Sequence, residues 1–468
     1  MVFSSAVFLI LFLPLVLLGY YIPFRKSRKY KNVFLFLASV AFYAYGEPIY
    51  VVLLLGSICM NWFLGNFVGR DDIQEKKRKS ILATGIFLNV ALLFVFKYLD
   101  FVIENVNAVC GKEVLATVGF ALPIGISFYT FQAISYLIDV YRQKAMAQKN
   151  ILNVGLYIAL FPQLVAGPIV RYDTIAKEIH ERKENFEDAY HGIHRFIKGL
   201  GKKVLLADML AVVADRAYSL PFADLSMSMA WLGALSYTLQ IYYDFSAYSD
   251  MAIGLGRMFG FHFMENFQFP YISKSITEFW RRWHISLGSW FRDYVYIPLG
   301  GNRRGKIRQI CNLLIVWSLT GLWHGANWTF VAWGLLQFIV LLIEKLTGYA
   351  GSEKWFGRIY VLPVILFGWT LFRAESFEVA VSYIGAMFGA NGMLHDTMTM
   401  AYLTSYLVVL VCALWLCVPH KKIRNLFEKK MPQSACCAVV ELGYFAVLVV
   451  AFAFIIRSSY SPFIYFNF

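Results

Sequence analysis

Long apolar runs separated by short basic segments are the feature that most constrains how this chain can fold. Such runs recur along the whole sequence, for example at residues 49–69, 326–347 and 437–456. A helix needs ~20 mostly apolar residues to cross the hydrocarbon core of a bilayer. Apolar and aromatic residues fill 59% of the 468 positions and charged residues only 15%, against ~25% charged in soluble domains. The sequence therefore predicts an integral membrane protein. It excludes a soluble enzyme, a disordered chain and a disulfide-stapled secreted module.

The net charge of +14 has a particular meaning in such a chain. In a soluble domain it would suggest a nucleic-acid partner, but in a multi-pass protein Lys and Arg collect in cytoplasmic loops. The basic clusters at 25–31, 70–79 and 142–149 are therefore predicted to be cytoplasmic. The expected surroundings are a lipid bilayer, and nucleic acid is not an expected partner.

The apolar runs predict ten to eleven membrane segments in a single domain that covers residues 1–468. The run 33–45 is short for a span, and Pro123 is expected to kink a helix over 116–138. Residues 151–170 contain Pro162 and a Gly-Pro pair, so this segment is expected to enter the membrane and return. Irregular backbone survives at membrane depth only where protein or a water-filled cavity surrounds it, which indicates an internal cavity.

No metal or redox site is predicted. The seven cysteines form no C-x-x-C pair and mostly lie in apolar runs, as small packing residues do. His191 and His194 are three residues apart on a basic amphipathic segment. Zinc needs more ligands than this segment supplies, so a solvated helix face is the favoured interpretation of the two histidines.

His324 is the foremost catalytic candidate, because it is the only ionisable residue between Arg308 and Glu344. Ionisable groups inside apolar segments are costly and mark function by default, and imidazole can act as a general base near neutral pH. If the helix continues, Asn327 shares the face of His324, and Gly321 lets a substrate approach the backbone. Trp323 is expected to shape a channel. The alternative is a histidine that is only packed in the interior.

His284 is the second candidate. It lies in a segment where aromatic residues alternate with the arginines Arg281, Arg282, Arg292, Arg303 and Arg304. Arginine binds phosphate and carboxylate groups bidentately, so this surface suits an anionic cytosolic substrate such as a coenzyme A thioester. The alternative is an interfacial segment whose charges only fix topology.

Asp244 and Asp250 stand in an otherwise uncharged stretch. A structural ion pair with buried basic groups is the favoured interpretation, and a place in the cavity lining is the alternative.

Two motifs carry a resemblance to a known family. The block WRRWHISLGSWFRDYVYIPLGGNRRG contains His284, and the block LTGLWHGANW contains His324, 40 positions later. With FPQLVAGPIVRYDT and YYDFSAYSDMAIGLGRMFGF, they resemble the membrane-bound O-acyltransferase superfamily, in its alginate O-acetylation branch. The resemblance covers nearly the whole chain.

The resemblance implies a ring of about 10–11 transmembrane and re-entrant helices around a central funnel. It also implies that His324 is catalytic and His284 is the second signature histidine. The donor would be acetyl-CoA, received near Arg281, Arg282 and Arg304, and no bound cofactor is expected. Asn327 or a backbone N–H would stabilise the oxyanion.

The acceptor implied by the resemblance is an extracytoplasmic polysaccharide, reached directly or through a secreted or membrane-anchored Ser-His-Asp transferase of the SGNH type. The expected location is the cytoplasmic (inner) membrane of a bacterium. Two alternatives stay open: D-alanyl transfer by a protein of the same fold, and a non-catalytic transporter of polysaccharide or lipid.

Overall fold

The computed structural model describes residues 1–24, 26–349, 355–421, 425, 431–457 and 463. This part of the chain is helical and contains no β-strand, which confirms an all-α architecture. It forms two compact units, residues 1–196 with 251–264 and residues 197–250 with 265–468. Of the predicted cytoplasmic cluster 25–31, Arg25 lies outside the described residues. The prediction of a single domain over 1–468 stays a prediction.

Most helices follow one another with short connections, and the longer connections include residues 111–125 and 259–275. In chain order they are α1 (Val7–Tyr21), α2 (Arg28–Gly46), α3 (Tyr50–Val68), α4 (Glu75–Lys97), α5 (Leu99–Cys110), α6 (Ile126–Tyr141), α7 (Ile151–Ala159), α8 (Phe161–Leu164), α9 (Tyr172–Glu181), α10 (Phe186–Gly201), α11 (Asp208–Tyr218), α12 (Met227–Met258), α13 (Ile276–Arg282), α14 (Ile285–Phe291), α15 (Lys306–His324), α16 (Trp328–Leu346), α17 (Arg358–Arg373), α18 (Phe377–Met387), α19 (Thr397–Leu416) and α20 (Gln433–Arg457).

Five of the described helices are long and apolar enough to cross a membrane, judged by length and composition: α3, α4, α16, α19 and α20. Two shorter apolar helices, α1 and α18, add to them. The other predicted segments form helices with more polar residues, among them α2, α12, α15 and α17. A multi-pass membrane protein is therefore confirmed. The ring around a funnel and the count of ten to eleven segments stay predictions.

In the first unit, polar side chains pair between helices that are otherwise apolar. Asn61 on α3 and Asn89 on α4 are buried and exchange two hydrogen bonds of 3.1 and 2.8 Å. Side-chain amides stabilise helix pairs in this way because no water in the bilayer core can satisfy them. Every residue from Ile126 to Val140 of α6 is buried, so α6 is enclosed within this unit.

Glu184 forms a charged cluster in the loop between α9 and α10. Its carboxylate accepts hydrogen bonds from Arg28 and Tyr20, each at 2.5 Å, and lies 3.3 Å from the Lys31 ammonium. Burial by itself would raise the pKa of Glu184. The hydrogen bonds from Arg28 and Tyr20 and the charges of Arg28 and Lys31 outweigh it and lower the pKa to about 2.

In the second unit, α15 and α16 form a tightly packed hairpin. A Cβ atom at Gly321 would lie 2.5 Å from the Phe330 carbonyl oxygen, and one at Gly334 would lie 2.5 Å from the Trp317 carbonyl oxygen. The two helix backbones therefore touch at this pair of glycines, as small residues allow in membrane helices. The expectation that Gly321 admits a substrate is wrong, because α16 fills the space.

Two predicted helix boundaries are corrected. The helix predicted over 116–138 begins only at Ile126, after Gly125, whose φ of 78° lies in the left-handed region. Pro123 therefore precedes the helix and does not kink it. The short run 33–45 extends upstream to Arg28 because Ser27 caps the helix by accepting from the Tyr30 amide at 3.3 Å. The broken segment 151–170 forms the two short helices α7 and α8, and its entry into the membrane and return stay a prediction.

Candidate active site

His324 is the last residue of α15 and is buried. Its ring makes edge contacts with three aromatic rings: Trp323 at 4.9 Å, Trp333 of α16 at 5.1 Å and Phe372 of α17 at 5.1 Å between centroids. Three helices thus place apolar walls around one imidazole. Such surroundings exclude water and strengthen the electrostatic interactions of a reacting group.

A cavity of about 510 Å³ contains both candidate histidines in its lining. Its volume lies within the ~300–1,000 Å³ range of small-molecule sites. The cavity follows one face of α15, lined by residues at helical spacing: Leu313, Val316, Trp317, Thr320 and His324. From Leu313 to His324 the helix rises ~17 Å at 1.5 Å per residue. The cavity therefore extends along α15 from its middle to the buried imidazole.

His284 lies between α13 and α14, outside the five candidate spans. Its ring contacts Trp323 at 5.9 Å, so Trp323 touches both histidines although it does not line the cavity. Burial lowers the pKa of His284 to about 3. The His284 ring is therefore neutral at physiological pH.

The predicted arginine surface divides in the structure. Arg281 and Arg292 line the cavity, whereas Arg282 and Arg304 do not. Arg282 pairs with Glu278 at 2.8 Å and donates to the Gln268 carbonyl at 3.1 Å. Arg304 is exposed and lies against Gly300.

Arg281 has no ion-pair partner among the described residues and is exposed at the cavity. Arg292 pairs with Asp293 at 2.7 Å, and the hydrogen bond that Arg292 donates to this carboxylate raises the pKa of Arg292. Of the predicted arginines, Arg281 is thus the best placed to receive an anionic substrate.

Asn327 does not share a helical face with His324, and that expectation is wrong. α15 ends at His324, and Asn327 is the N-cap of α16. Its Oδ1 accepts from the Thr329 amide at 3.0 Å, and its Nδ2 donates to the Glu375 carbonyl at 2.8 Å. Both polar atoms of the Asn327 side chain are therefore used in hydrogen bonds that hold the start of α16. Gly325 ends the helix that the sequence pattern predicts to continue.

Two residues that the sequence analysis did not single out hold the His284 segment. Asn266 bonds to His284 and Ser286, and Glu344 binds the N-terminus of α13. The sequence could have pointed to Glu344, because it is an acidic residue in the last turn of an apolar run. Nothing in the sequence points to Asn266, because its partners lie about 20 positions away and only folding brings them together.

Asp244 and Asp250 form buried ion pairs, which confirms the favoured interpretation. Lys203 bonds to Asp244 at 2.7 Å and to Asp208 at 2.8 Å. Lys202 lies 2.7 Å from Asp250. Neither aspartate lines the cavity that contains the histidines.

Comparison with known proteins identifies the class. The model of the membrane-bound O-acyltransferase family matches residues 128–372, a stretch that includes both histidines and the whole cavity lining. The chain belongs to this family and is a membrane O-acetyltransferase.

Its relatives place it more narrowly, in the alginate O-acetylase branch. It is 40% identical to the probable alginate O-acetylase of Pseudomonas putida over the full length of both chains. It is 33% identical to the peptidoglycan O-acetyltransferase of Helicobacter pylori, over 100% of this chain and 98% of that protein. It is 29% identical to the teichoic acid D-alanyltransferase of Bacillus subtilis, over 51% of this chain and 62% of that protein.

Proposed function

We propose that this enzyme moves acetyl groups from cytosolic acetyl-CoA to the hydroxyl groups of an extracytoplasmic polysaccharide. The observation that carries the proposal is the cavity along α15, which joins the arginine-bearing segment of α13 to His324. The basic segment 303–308 includes the first turn of α15, so the positive-inside rule assigns this end of the helix to the cytoplasm. His324, at the opposite end of a 19-residue helix, then lies toward the external side.

The chemistry assigned to His324 is general-base catalysis. The imidazole removes the proton of the acceptor hydroxyl, whose oxygen attacks the acetyl carbonyl carbon. The tetrahedral intermediate collapses as the carbon–sulfur bond breaks, and the coenzyme A thiolate takes up the proton from His324. Base catalysis of this kind contributes ~10²–10⁴ in rate, and the aromatic enclosure of His324 keeps water from hydrolysing the thioester.

The positive charges at the cavity lining indicate where the acyl donor binds. Coenzyme A carries phosphate groups, and Arg281 and Arg292 supply guanidinium groups at the cavity lining. The thioester arm would extend along the face of α15 toward His324. Acetyl-CoA is thus proposed as a substrate, and no resident cofactor is invoked.

The acceptor is proposed from the relatives, whose names specify alginate and peptidoglycan. A cell-surface polymer lies outside, so we propose that the enzyme resides in the cytoplasmic membrane of a bacterium. Two routes satisfy the chemistry: attack by the polymer hydroxyl itself, or relay through the serine of an external SGNH-type transferase.

The test uses the purified protein in liposomes with radiolabelled acetyl-CoA and an oligosaccharide acceptor. Label should reach the acceptor, and His324→Ala should reduce transfer at least a hundredfold. His191→Ala is the matched control, because the His191 side chain is 52% exposed. A folded His324→Ala protein with normal transfer would refute the assignment of His324.

Further arms of the same assay separate the alternatives. Label that reaches the polymer only when an SGNH-type transferase is added indicates the relay. Transfer from a D-alanyl carrier protein in place of acetyl-CoA would support the D-alanylation activity named for the Bacillus subtilis relative and refute the acetyl donor.

A further inference from the structure

Asn266, in the connection between α12 and α13, is hydrogen-bonded to the two residues that follow His284. Its backbone carbonyl accepts from the Ile285 amide at 3.0 Å. Its side-chain Oδ1 accepts from the Ser286 amide at 3.1 Å and from the Ser286 hydroxyl at 2.9 Å. The side chain is fully buried, so water does not compete for these bonds.

The same Oδ1 lies 3.3 Å from His284 Nδ1. The identity of this atom as oxygen follows from its partners, since a backbone amide can only donate and Ser286 N points at it. The Asn266 Nδ2 in turn donates to the Ser249 hydroxyl at 3.0 Å. The Ser286 hydroxyl lies 3.4 Å from the same nitrogen, but it donates its hydrogen to Asn266 Oδ1. Because both neighbours of His284 Nδ1 are then acceptors, a hydrogen on Nδ1 satisfies both contacts.

The backbone conformation of His284 is a second reason to expect a residue that holds this turn in place. Its φ of 44° lies in the left-handed region, which is strained for a residue with a Cβ atom and persists only where the surroundings impose it. The bonds from Asn266 to Ile285 and Ser286 fix the residues that follow directly. The backbone carbonyl and the side chain of one buried residue thus hold the strained turn.

We propose that Asn266 is a positioning residue that fixes His284 as the Nδ1–H tautomer, so that Nε2 is the nitrogen that accepts hydrogen bonds or protons at the cavity. This inference rests on the proposed role of the cavity in acyl transfer. It separates the two histidines by function: His284 is held in one tautomer by a neutral amide, while His324 is surrounded by aromatic rings.

Asn266→Asp tests the proposal while it keeps an acceptor at the same place. A carboxylate beside Nδ1 favours the charged imidazolium and raises the pKa of His284. If neutral His284 is required, the acid limb of the kcat profile moves to higher pH, by one unit or more. Activity of Asn266→Asp should be near that of the native protein at pH 9, and the ratio of the two activities should fall as the pH is lowered. An unchanged pH profile would overturn the proposal.

Asn266→Leu removes the acceptor and should lower kcat at all pH values. Asn89→Leu is the matched control, because Asn89 is also buried and bonded to a side chain, in the other unit. If both variants lose activity only in proportion to the loss of folded protein, the role of Asn266 is structural and the proposal fails.

One measurement does not depend on enzymatic activity and therefore tests the role of Asn266 independently of the proposed function. Solid-state NMR of ¹⁵N-histidine-labelled protein, with His284→Gln to assign the signal, reports which ring nitrogen is protonated. The expected result is protonated Nδ1 in the native protein and a mixture of tautomers in Asn266→Leu. Protonated Nε2 in the native protein refutes the role of Asn266, whatever the acyl donor proves to be.

Discussion

At the residue scale, the two histidines occupy different environments in one cavity. His324 ends a helix among aromatic rings, whereas His284 occupies a strained turn that hydrogen bonds hold in place. Aromatic surroundings that exclude water strengthen the electrostatic interactions of a reacting base. The difference in environment supports His324 as the base and His284 as an oriented partner.

The arginines allow a prediction at the same scale. Arg281→Ala should raise the KM for acetyl-CoA about tenfold, because a charge-assisted contact is worth about 1.5–3 kcal/mol. Arg282→Ala is the neighbouring control, since Arg282 is engaged with Glu278 and lies off the cavity. Steady-state kinetics at saturating acceptor measure both. Equal KM changes in the two variants would show that neither arginine contacts the donor selectively.

At the scale of elements, α13 is held at its N-terminus. Ser275 caps its N-terminus by accepting from the Glu278 amide at 3.0 Å, and Glu278 accepts from the Lys274 amide at 2.8 Å, a variant of the capping box. Buried Glu344 accepts from the Thr277 amide at 2.9 Å and also from the amide of Ile276 and the hydroxyl of Tyr360. The short helix that bears Arg281 therefore has a fixed position.

Glu344→Ala should release this helix end. We expect a higher KM for acetyl-CoA and a loss of about 2–3 kcal/mol of stability, because buried amides lose a charged acceptor. Glu344→Gln should retain part of both. Glu378→Gln is the control, since Glu378 stands in the first turn of α18 but is exposed. Kinetics and thermal unfolding in detergent report the two effects, and a stability loss without a KM change would limit Glu344 to folding.

The ion pairs of α12 give a second prediction at this scale. Lys203→Met should destabilise the protein by about 3–5 kcal/mol, because it leaves buried Asp244 without its cation. Adding Asp244→Asn should recover much of that loss. Lys198→Met is the control, as Lys198 is half exposed and 3.8 Å from Asp250. Thermal unfolding of the purified variants measures the shifts, and a double variant no more stable than Lys203→Met would contradict the pairing.

At the scale of the whole molecule, the charge pattern sets the orientation of the helices. The positive-inside rule assigns the segment before α15 to the cytoplasm. The chain then crosses with α15, returns with α16 and crosses again with α17. α18 has only 11 residues, too few to cross the hydrocarbon core. The segment between α18 and α19 is therefore expected on the external side.

Cysteine labelling checks this orientation. The labelling is done in a variant without the seven native cysteines. The thiol introduced by Asn302→Cys should react only with reagents that reach the cytoplasm. His395→Cys should react with an impermeant maleimide added outside. Both positions are exposed, so accessibility reflects sidedness. Reaction of both cysteines from the same side would contradict the assigned topology.

Much of this protein was predictable from particular residues. The apolar runs indicated α3, α16 and α20, and the isolation of His324 in such a run singled it out. The boundaries at Ile126 and His324 were not predictable, since Gly125 and Gly325 break patterns that look continuous in apolarity. Asn327 was misplaced for this reason.

The sequence by itself determined the membrane class, the family and the two signature histidines, because apolar length, charge distribution and long motifs are local properties of a chain. Only the tertiary structure decided which arginine lines the cavity, that Asn327 caps α16, and that Asn266 and Glu344 hold the segment of His284. Hydrogen bonds between residues that are distant in sequence depend on where folded helices bring their side chains. No spacing along the chain encodes them.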